Sequence, residues 1–409
     1  MNEDFAAAMR RALQHARAHD VMAATGVIQA ALAGRTPAKR QSAKAPVDIT
    51  PQQRAVPMRG GLTASNTDTD QGARCEKIAA PDAKFFQSRQ RRPLGEVVSA
   101  LQRLRKSGMS GLRARPATSP SPDVPDGAQF PARRFRCAAG ERIYKLYVPS
   151  GLAGSPRGLI VMLHGCTQDP DDFAYGTHMN AHAESHGLLI AYPEQSLKEN
   201  VSSCWNWFRP EDQRRGAGEP AILAGLTRAI ADEVELTPEK TFIAGFSAGG
   251  AMAEVMLATH PELYAAGCIH SGLAYRSAGD VVSALAAMRG QGERCGIAAN
   301  TGPAPGSRKI IFHGSRDAIV HPSNADRIFA AAHAGIADTQ HHVERVSGGR
   351  GGSYVRSTAT TPQGESIAEY WLVEGAGHAW SGGRTGGSYT DPGGPDASAE
   401  MIRFFLNHT

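Results

Sequence analysis

From Ala128 to the end of the chain, short apolar runs alternate with segments of helical character, and this alternation constrains the fold more than any other feature. "RIYKLYVP", "GLIVMLHG", "LLIAYP", "TFIAGF", "AAGCIHSG", "KIIFHG" and "AEYWLVEGAGH" read as strands. Among them, "THMNAHAESHG", "AILAGLTRAIADEV", "AGGAMAEVMLATHPE", "NADRIFAAAHAG" and "SAEMIRFFLNH" read as helices. Several of the strands are apolar at nearly every position, so both of their faces must be covered. The pattern predicts one α/β domain over residues 128–409, a mostly parallel sheet with helices on both faces.

Within this alternation, "GFSAGG" (residues 245–250) sits where a strand feeds directly into a helix. A serine spaced G-x-S-x-G in that context matches a nucleophile elbow, the sharp turn of the α/β-hydrolase architecture that presents a hydroxyl at the sheet edge. A serine hydroxyl is a weak nucleophile at neutral pH, so Ser247 needs a base, and the base needs an orienting acid. The expected chain order is serine, acid, histidine. Asp317 in "KIIFHGSRDAIVHP" and His378 in "YWLVEGAGHAW" follow in that order, each just past a predicted strand. His270, His313, His321, His341 and His342 compete for the base. His313 precedes the acid, and His341 and His342 lie in a polar insertion. Acyl transfer also needs donors for a developing oxyanion. These are expected at the backbone N–H of Ala248, next to the nucleophile, and of Cys166, in the loop after "GLIVMLHG".

Together "LIVMLHGCTQDPDDFA", "CWNWF", "GFSAGGAMAEVMLATHPELYAA" and "GAGHAWSGG" with "GSYTDPGGPDAS" resemble the polyhydroxybutyrate depolymerase-like esterases, a family that also holds feruloyl and acetylxylan esterases. The resemblance covers roughly residues 130–409. It implies a serine carboxylic-ester hydrolase with Ser247, Asp317 and His378 as its triad and Cys166 at its oxyanion position. The implied substrate is a short hydroxyalkanoate ester or oligomer, with a feruloyl or acetyl ester of a plant polysaccharide as the alternative. Trp205, Asn206 and Trp207 resemble a stretch lining the family's substrate cleft, although a packed surface loop would carry the same residues. Secreted relatives carry disulfides, which implies Cys166–Cys204 and Cys268–Cys295 as pairs. Secreted depolymerases also carry a separate polymer-binding domain. None follows Thr409, so oligomers or amorphous polymer are expected over crystalline polymer. The mechanism needs no cofactor and no metal.

Residues 1–127 differ in texture and are expected to form a separate extension. Met1 to Ala33 has helical spacing, residues 34–92 are too polar and proline-rich to bury a core, and residues 94–106 make a short basic amphipathic helix. That helix could meet an anionic surface such as a polymer granule, or could pack on or tether the catalytic domain. A linker, "RPATSPSPDVPDG", closes the extension. A net charge of +5 on 409 residues does not argue for nucleic-acid binding, and no apolar run is long enough to span a membrane as a helix. The amino terminus lacks the apolar core of a secretory leader. The expectation is therefore a cytoplasmic protein with most of its six cysteines as thiols. "GGRGGSY" and "GGRTGGSY" read as loops, the second bordering the site near His378.

Overall fold

A computed structural model describes residues 120–152, 154–291, 307–348 and 351–407. The expected helices over 1–33 and 94–106 and the segment between them lie outside these residues. The chain enters through an antiparallel hairpin, β1 (Ala132–Cys137) and β2 (Gly140–Tyr147). It continues as β3 (Gly158–Leu163), α1 (Pro170–Thr177), α2 (Met179–His186), β4 (Leu188–Pro193), α3 (Gly218–Glu233), β5 (Thr241–Phe246) and α4 (Ala248–Thr259). Next come β6 (Ala266–His270), α5 (Val281–Met288), β7 (Arg308–Gly314), α6 (Ser323–Ala332), β8 (Gln340–Val346), β9 (Tyr354–Thr360) and β10 (Ser366–Val373). The chain closes with two short paired strands, β11 (Trp380–Ser381) and β12 (Thr390–Asp391), and α7 (Ala397–Leu406).

The first ten strands form one sheet in the order β1-β2-β4-β3-β5-β6-β7-β10-β9-β8. Its centre, from β4 to β10, is parallel, and the two edges are antiparallel. This is the mostly parallel, helix-covered sheet expected from the alternation, and the α/β-hydrolase architecture that the G-x-S-x-G turn pointed to. The strands β3, β4, β5 and β6 are buried at every residue, in keeping with their largely apolar runs. Alternate side chains serve opposite cores. Leu159, Val161 and Leu163 of β3 join Ile243, Ile269 and Ile311 in a core filled by Leu223, Leu226 and Met252 from α3 and α4. Ile160 and Met162 join Phe242, Ile310 and Phe312 in a second core filled by Met179, Met401 and Phe405 from α2 and α7. Helices thus cover both faces.

Two local readings change. The single helix expected at 177–187 is broken by His178, whose left-handed φ of 58° ends α1 and starts α2. α1 itself follows from Asp169, whose side chain caps it, and from Pro170 at its first turn. The expected polar insertion around His341 and His342 is the edge strand β8, with both histidines exposed to solvent. Helix α5 carries a capping box between Asp280 and Ser283.

Candidate active site

Residues Gly165–Gln168, Ser247, Asp317 and His378 follow the carboxyl ends of β3, β5, β7 and β10. In a parallel sheet those ends share one edge, which is where ligands of open α/β sheets bind. The turn at Ser247 is tight. Its backbone has φ 55° and ψ −117°, a conformation an L residue adopts at a cost of about 1–3 kcal/mol. Surrounding contacts hold it there: Ser247 N–H donates to His270 O at 2.9 Å, and Ser247 O accepts from Ala251 N–H at 2.9 Å. The two flanking glycines let the chain close on itself. A Cβ on Gly245 would overlap the Gly249 carbonyl, and one on Gly249 would overlap Leu163 O and lie 2.6 Å from His164 O. The G-x-S-x-G spacing is therefore a packing requirement of a helix start pressed against the end of β3.

The acid and histidine loops are extensions of paired strands. Beyond the β7–β10 ladder, Ser315 N–H donates to Val373 O and Arg316 N–H donates to Ala376 O, both at 2.9 Å. This brings His378 onto Asp317. The Nδ1–H of His378 donates to Asp317 Oδ2 at 2.7 Å, since a carboxylate can only accept. The Nε2 of His378 lies 2.9 Å from Ser247 Oγ, and with the proton on Nδ1 it is the acceptor of the serine hydroxyl. Asp317 Oδ1 accepts Ile319 N–H at 2.9 Å and Val320 N–H at 2.8 Å. Burial pushes the Asp317 carboxyl up. Hydrogen bonds and charge from His313 and His378 outweigh burial and hold it well below the ordinary carboxylate range. The carboxylate is thus ionised and fixed, with one oxygen turned to the imidazole.

His313 makes no hydrogen bond to Ser247 among the described residues. It is fully buried on β7, and its Nε2–H donates to Val320 O at 2.8 Å while lying 3.4 Å from Asp317 Oδ2. His270 is also buried, between Phe312 and Trp380, and accepts Ser381 N–H on Nε2. Burial pushes its pKa well down.

The loop after β3 presents one uncommitted donor. Gly165 N–H donates to Gln168 Oε1 at 2.9 Å, and Thr167 N–H donates to Ser202 O at 2.8 Å. Between them, the Cys166 N–H makes no hydrogen bond among the described residues. Ala248 is the first residue of α4, where a helix leaves its N–H unpaired. Both N–H groups expected as oxyanion donors are thus without a hydrogen-bond acceptor among the described residues. A buried pair of side chains supports the first of them: Gln168 Nε2–H donates to Asp172 Oδ2 at 3.0 Å and to Ser388 O at 3.1 Å. The polar run "TQDPDD" in an otherwise apolar stretch was the available signal for this network.

Cys166 and Cys204 form a disulfide, as the resemblance implied, so the expectation of free thiols fails for this pair. Cys137 and Cys268 are free. Of the implied Cys268–Cys295 pair, Cys268 is a free thiol that points into the core from β6, where burial pushes its pKa up, and Cys295 lies outside the described residues.

Of the two readings of Trp205, Asn206 and Trp207, cleft lining and a packed loop, burial of all three favours the packed loop. Trp205 is fully buried, with its Nε1–H donating to His164 O at 3.1 Å. Asn206 is 3% exposed and engages Glu219 twice, through N–H and Nδ2–H, each at 2.8 Å. Trp207 is buried edge-on to Phe208. The segment anchors the Cys204 side of the loop. It does so on Glu219, whose carboxyl burial pushes up to about 7.

The family model described as "Esterase PHB depolymerase" matches residues 142–340, which include Cys166, Ser247 and Asp317 but not His378. The chain is similar to poly(3-hydroxyalkanoate) depolymerase C of Paucimonas lemoignei, 30% identical over 261 residues, covering 60% of this chain and 58% of that protein. It is similar to a probable acetylxylan esterase A of Aspergillus clavatus, 29% identical over 198 residues, covering 44% and 61%. Feruloyl esterase B of Neurospora crassa is 31% identical over 193 residues, covering 43% and 64%. The chain thus spans less than two thirds of the length of each of these relatives. A solved acetyl xylan esterase from Aspergillus awamori aligns with a TM-score of 0.47 at 20% identity, covering 64% of this chain and 93% of that one.

Proposed function

With the match of residues 142–340 to the esterase PHB depolymerase family model as premise, we propose that the chain is a serine carboxylic-ester hydrolase. The observation that carries this is the unbroken relay from Ser247 Oγ to His378 Nε2 and from His378 Nδ1 to Asp317 Oδ2. His378 takes the Ser247 proton as the oxygen attacks the ester carbonyl. The N–H groups of Cys166 and Ala248 receive the charge on the carbonyl oxygen. His378 then gives the proton to the departing alcohol, leaving an acyl-enzyme on Ser247. Water, deprotonated by the same imidazole, releases the acid. Asp317 keeps the imidazole in the tautomer that can accept from serine.

The preferred substrate is a short hydroxyalkanoate ester or oligomer. Leu197 and Val201, in the loop after β4, and Ile319, two residues past Asp317, expose apolar side chains. Such side chains suit an aliphatic polyester better than a hydrated polysaccharide. The acetylxylan and feruloyl esterases among the relatives favour the second reading, an acetyl or aryl ester on plant polysaccharide.

A release assay on the purified full chain with 3-hydroxybutyrate oligomer, methyl ferulate and acetylated xylan separates the readings. Ser247→Ala should reduce turnover to the background while retaining the wild-type circular dichroism spectrum. Hydrolysis retained in that variant would remove the proposal. Preference for either plant ester would replace the first substrate class with the second.

A further inference from the structure

Tyr389 belongs to the glycine-rich loop before α7 and takes no part in the proton relay. Its φ of 53° is uncommon for a bulky residue, and its side chain is only partly buried. Buried groups nevertheless pin this backbone. Ser388 N–H donates to Asp172 Oδ1 at 3.0 Å, Ser388 O accepts Gln168 Nε2–H at 3.1 Å, and Tyr389 O accepts Trp380 N–H at 2.7 Å. Gln168 and Asp172 are each 4% exposed, so the anchor is a built feature.

The loop aims the ring at the reacting groups. The centroid of Tyr389 lies 6.2 Å from Phe246, the residue before the nucleophile, and 6.4 Å from the His378 imidazole, which it meets at 77°. Its hydroxyl lies 3.2 Å from Thr167 Oγ1, next in sequence to the Cys166 N–H. With the hydroxyl committed to Thr167, the ring face is what remains for a ligand.

We infer that Tyr389 is a wall of the ester cleft that contacts the alcohol part of the substrate and sets the preference for it. This rests on the hydrolase reading. The departing alcohol must take its proton from His378 Nε2, so it lies on the histidine side of Ser247. Tyr389 borders that side. An aromatic face there favours alcohol parts with a carbon chain or ring to lay against it, and it gives nothing to methanol.

The test is kcat and KM of the full chain on two ester series. One holds the acyl group as acetate and varies the alcohol from methanol to butanol to phenol. The other holds phenol and varies the acyl group from acetate to butyrate to octanoate. For Tyr389→Ala, kcat/KM on butyl and phenyl acetate should fall about five- to tenfold, mainly through KM, while methyl acetate changes by less than about twofold. The acyl series should move in parallel. Tyr389→Phe keeps the ring face and should keep the alcohol preference. Equal losses across the alcohols, no loss at all, a reordered acyl series, or a phenylalanine variant behaving like alanine would each overturn the inference. A wild type that hydrolyses no ester of either series would instead remove the hydrolase reading and this inference with it.

Discussion

Asp317→Asn tests whether the relay works through the tautomer of His378. The substitution is nearly isosteric, and the site dictates how it sits. Asp317 Oδ1 accepts Ile319 and Val320 N–H at 2.9 and 2.8 Å, so the amide oxygen must stay there to satisfy both donors. The amide nitrogen then occupies the Oδ2 position, 2.7 Å from His378 Nδ1. Two N–H donors cannot face each other, so the imidazole moves its proton to Nε2. That proton points at Ser247 Oγ, 2.9 Å away, and the serine loses its base. A wrong tautomer in such a relay costs about 10⁴ in kcat, or about 5.5 kcal/mol of barrier. KM should change little, because the Asp317 side chain is buried and meets no substrate. Stability should respond as well. The folded carboxyl sits below its ordinary range, so its ionised form stabilises the fold above that range, and the contribution is lost as pH falls through the folded value. Unfolding midpoints of wild type and variant should therefore differ at neutral pH and converge in strong acid. The assay is steady-state kinetics on the best ester, with denaturant melts alongside. A loss of kcat under tenfold in a folded variant would refute the tautomer argument.

Gly249→Ala should push the start of α4 away from the end of β3, since the new Cβ would lie 2.6 Å from His164 O. A shift of this kind costs about 100-fold in kcat and about 1–3 kcal/mol in stability; wild-type turnover would mean that the close approach is dispensable. Glu219, raised by burial from 4.5 to about 7, binds its proton more tightly in the folded chain, so stability should fall by up to about 3 kcal/mol as pH rises from 4.5 to 7 and level off above. Glu219→Gln should flatten that slope in urea melts at pH 5 and 7.5, and parallel slopes for the two proteins would count against it.

The fold and the proposed relay were legible in the sequence because both are written in short range. A short run apolar at nearly every position, as in β3 or β5, bounded by turn residues, reads as an inner strand of a covered sheet, so the alternation after Ala128 led to the layers directly. Ser247, Asp317 and His378 each lie within a few residues of such a strand's carboxyl end, so three separate local readings converge on one edge. Helix boundaries were less legible. His178 divides α1 from α2 by a backbone conformation that composition does not announce. β8 escaped because an edge strand with most residues in water has no apolar run to show.

The two readings of Trp205 and Asn206 stay open in the sequence for a different physical reason. Aromatic residues next to a reactive loop look the same in sequence whether they meet substrate or support the loop. The difference lies in Glu219, at the start of α3, which accepts Asn206 N–H and Nδ2–H and Gln195 Nε2–H in a site closed to solvent. Four segments meet there: the loop after β4, the Cys204 strap, the first turn of α3, and Arg142 of β2, 3.8 Å from Glu219. Nothing local requires that meeting. A buried carboxyl is costly unless donors surround it, so its presence forces the strap inward and carries Trp205 with it. Tyr389 shows the converse. It lies in a glycine-rich loop that reads as featureless, yet buried Gln168 and Asp172 hold that loop so that an aromatic ring faces His378. In this protein the groups proposed to do chemistry follow from strand ends, whereas the surfaces proposed to choose the substrate follow from buried polar anchors far apart in sequence.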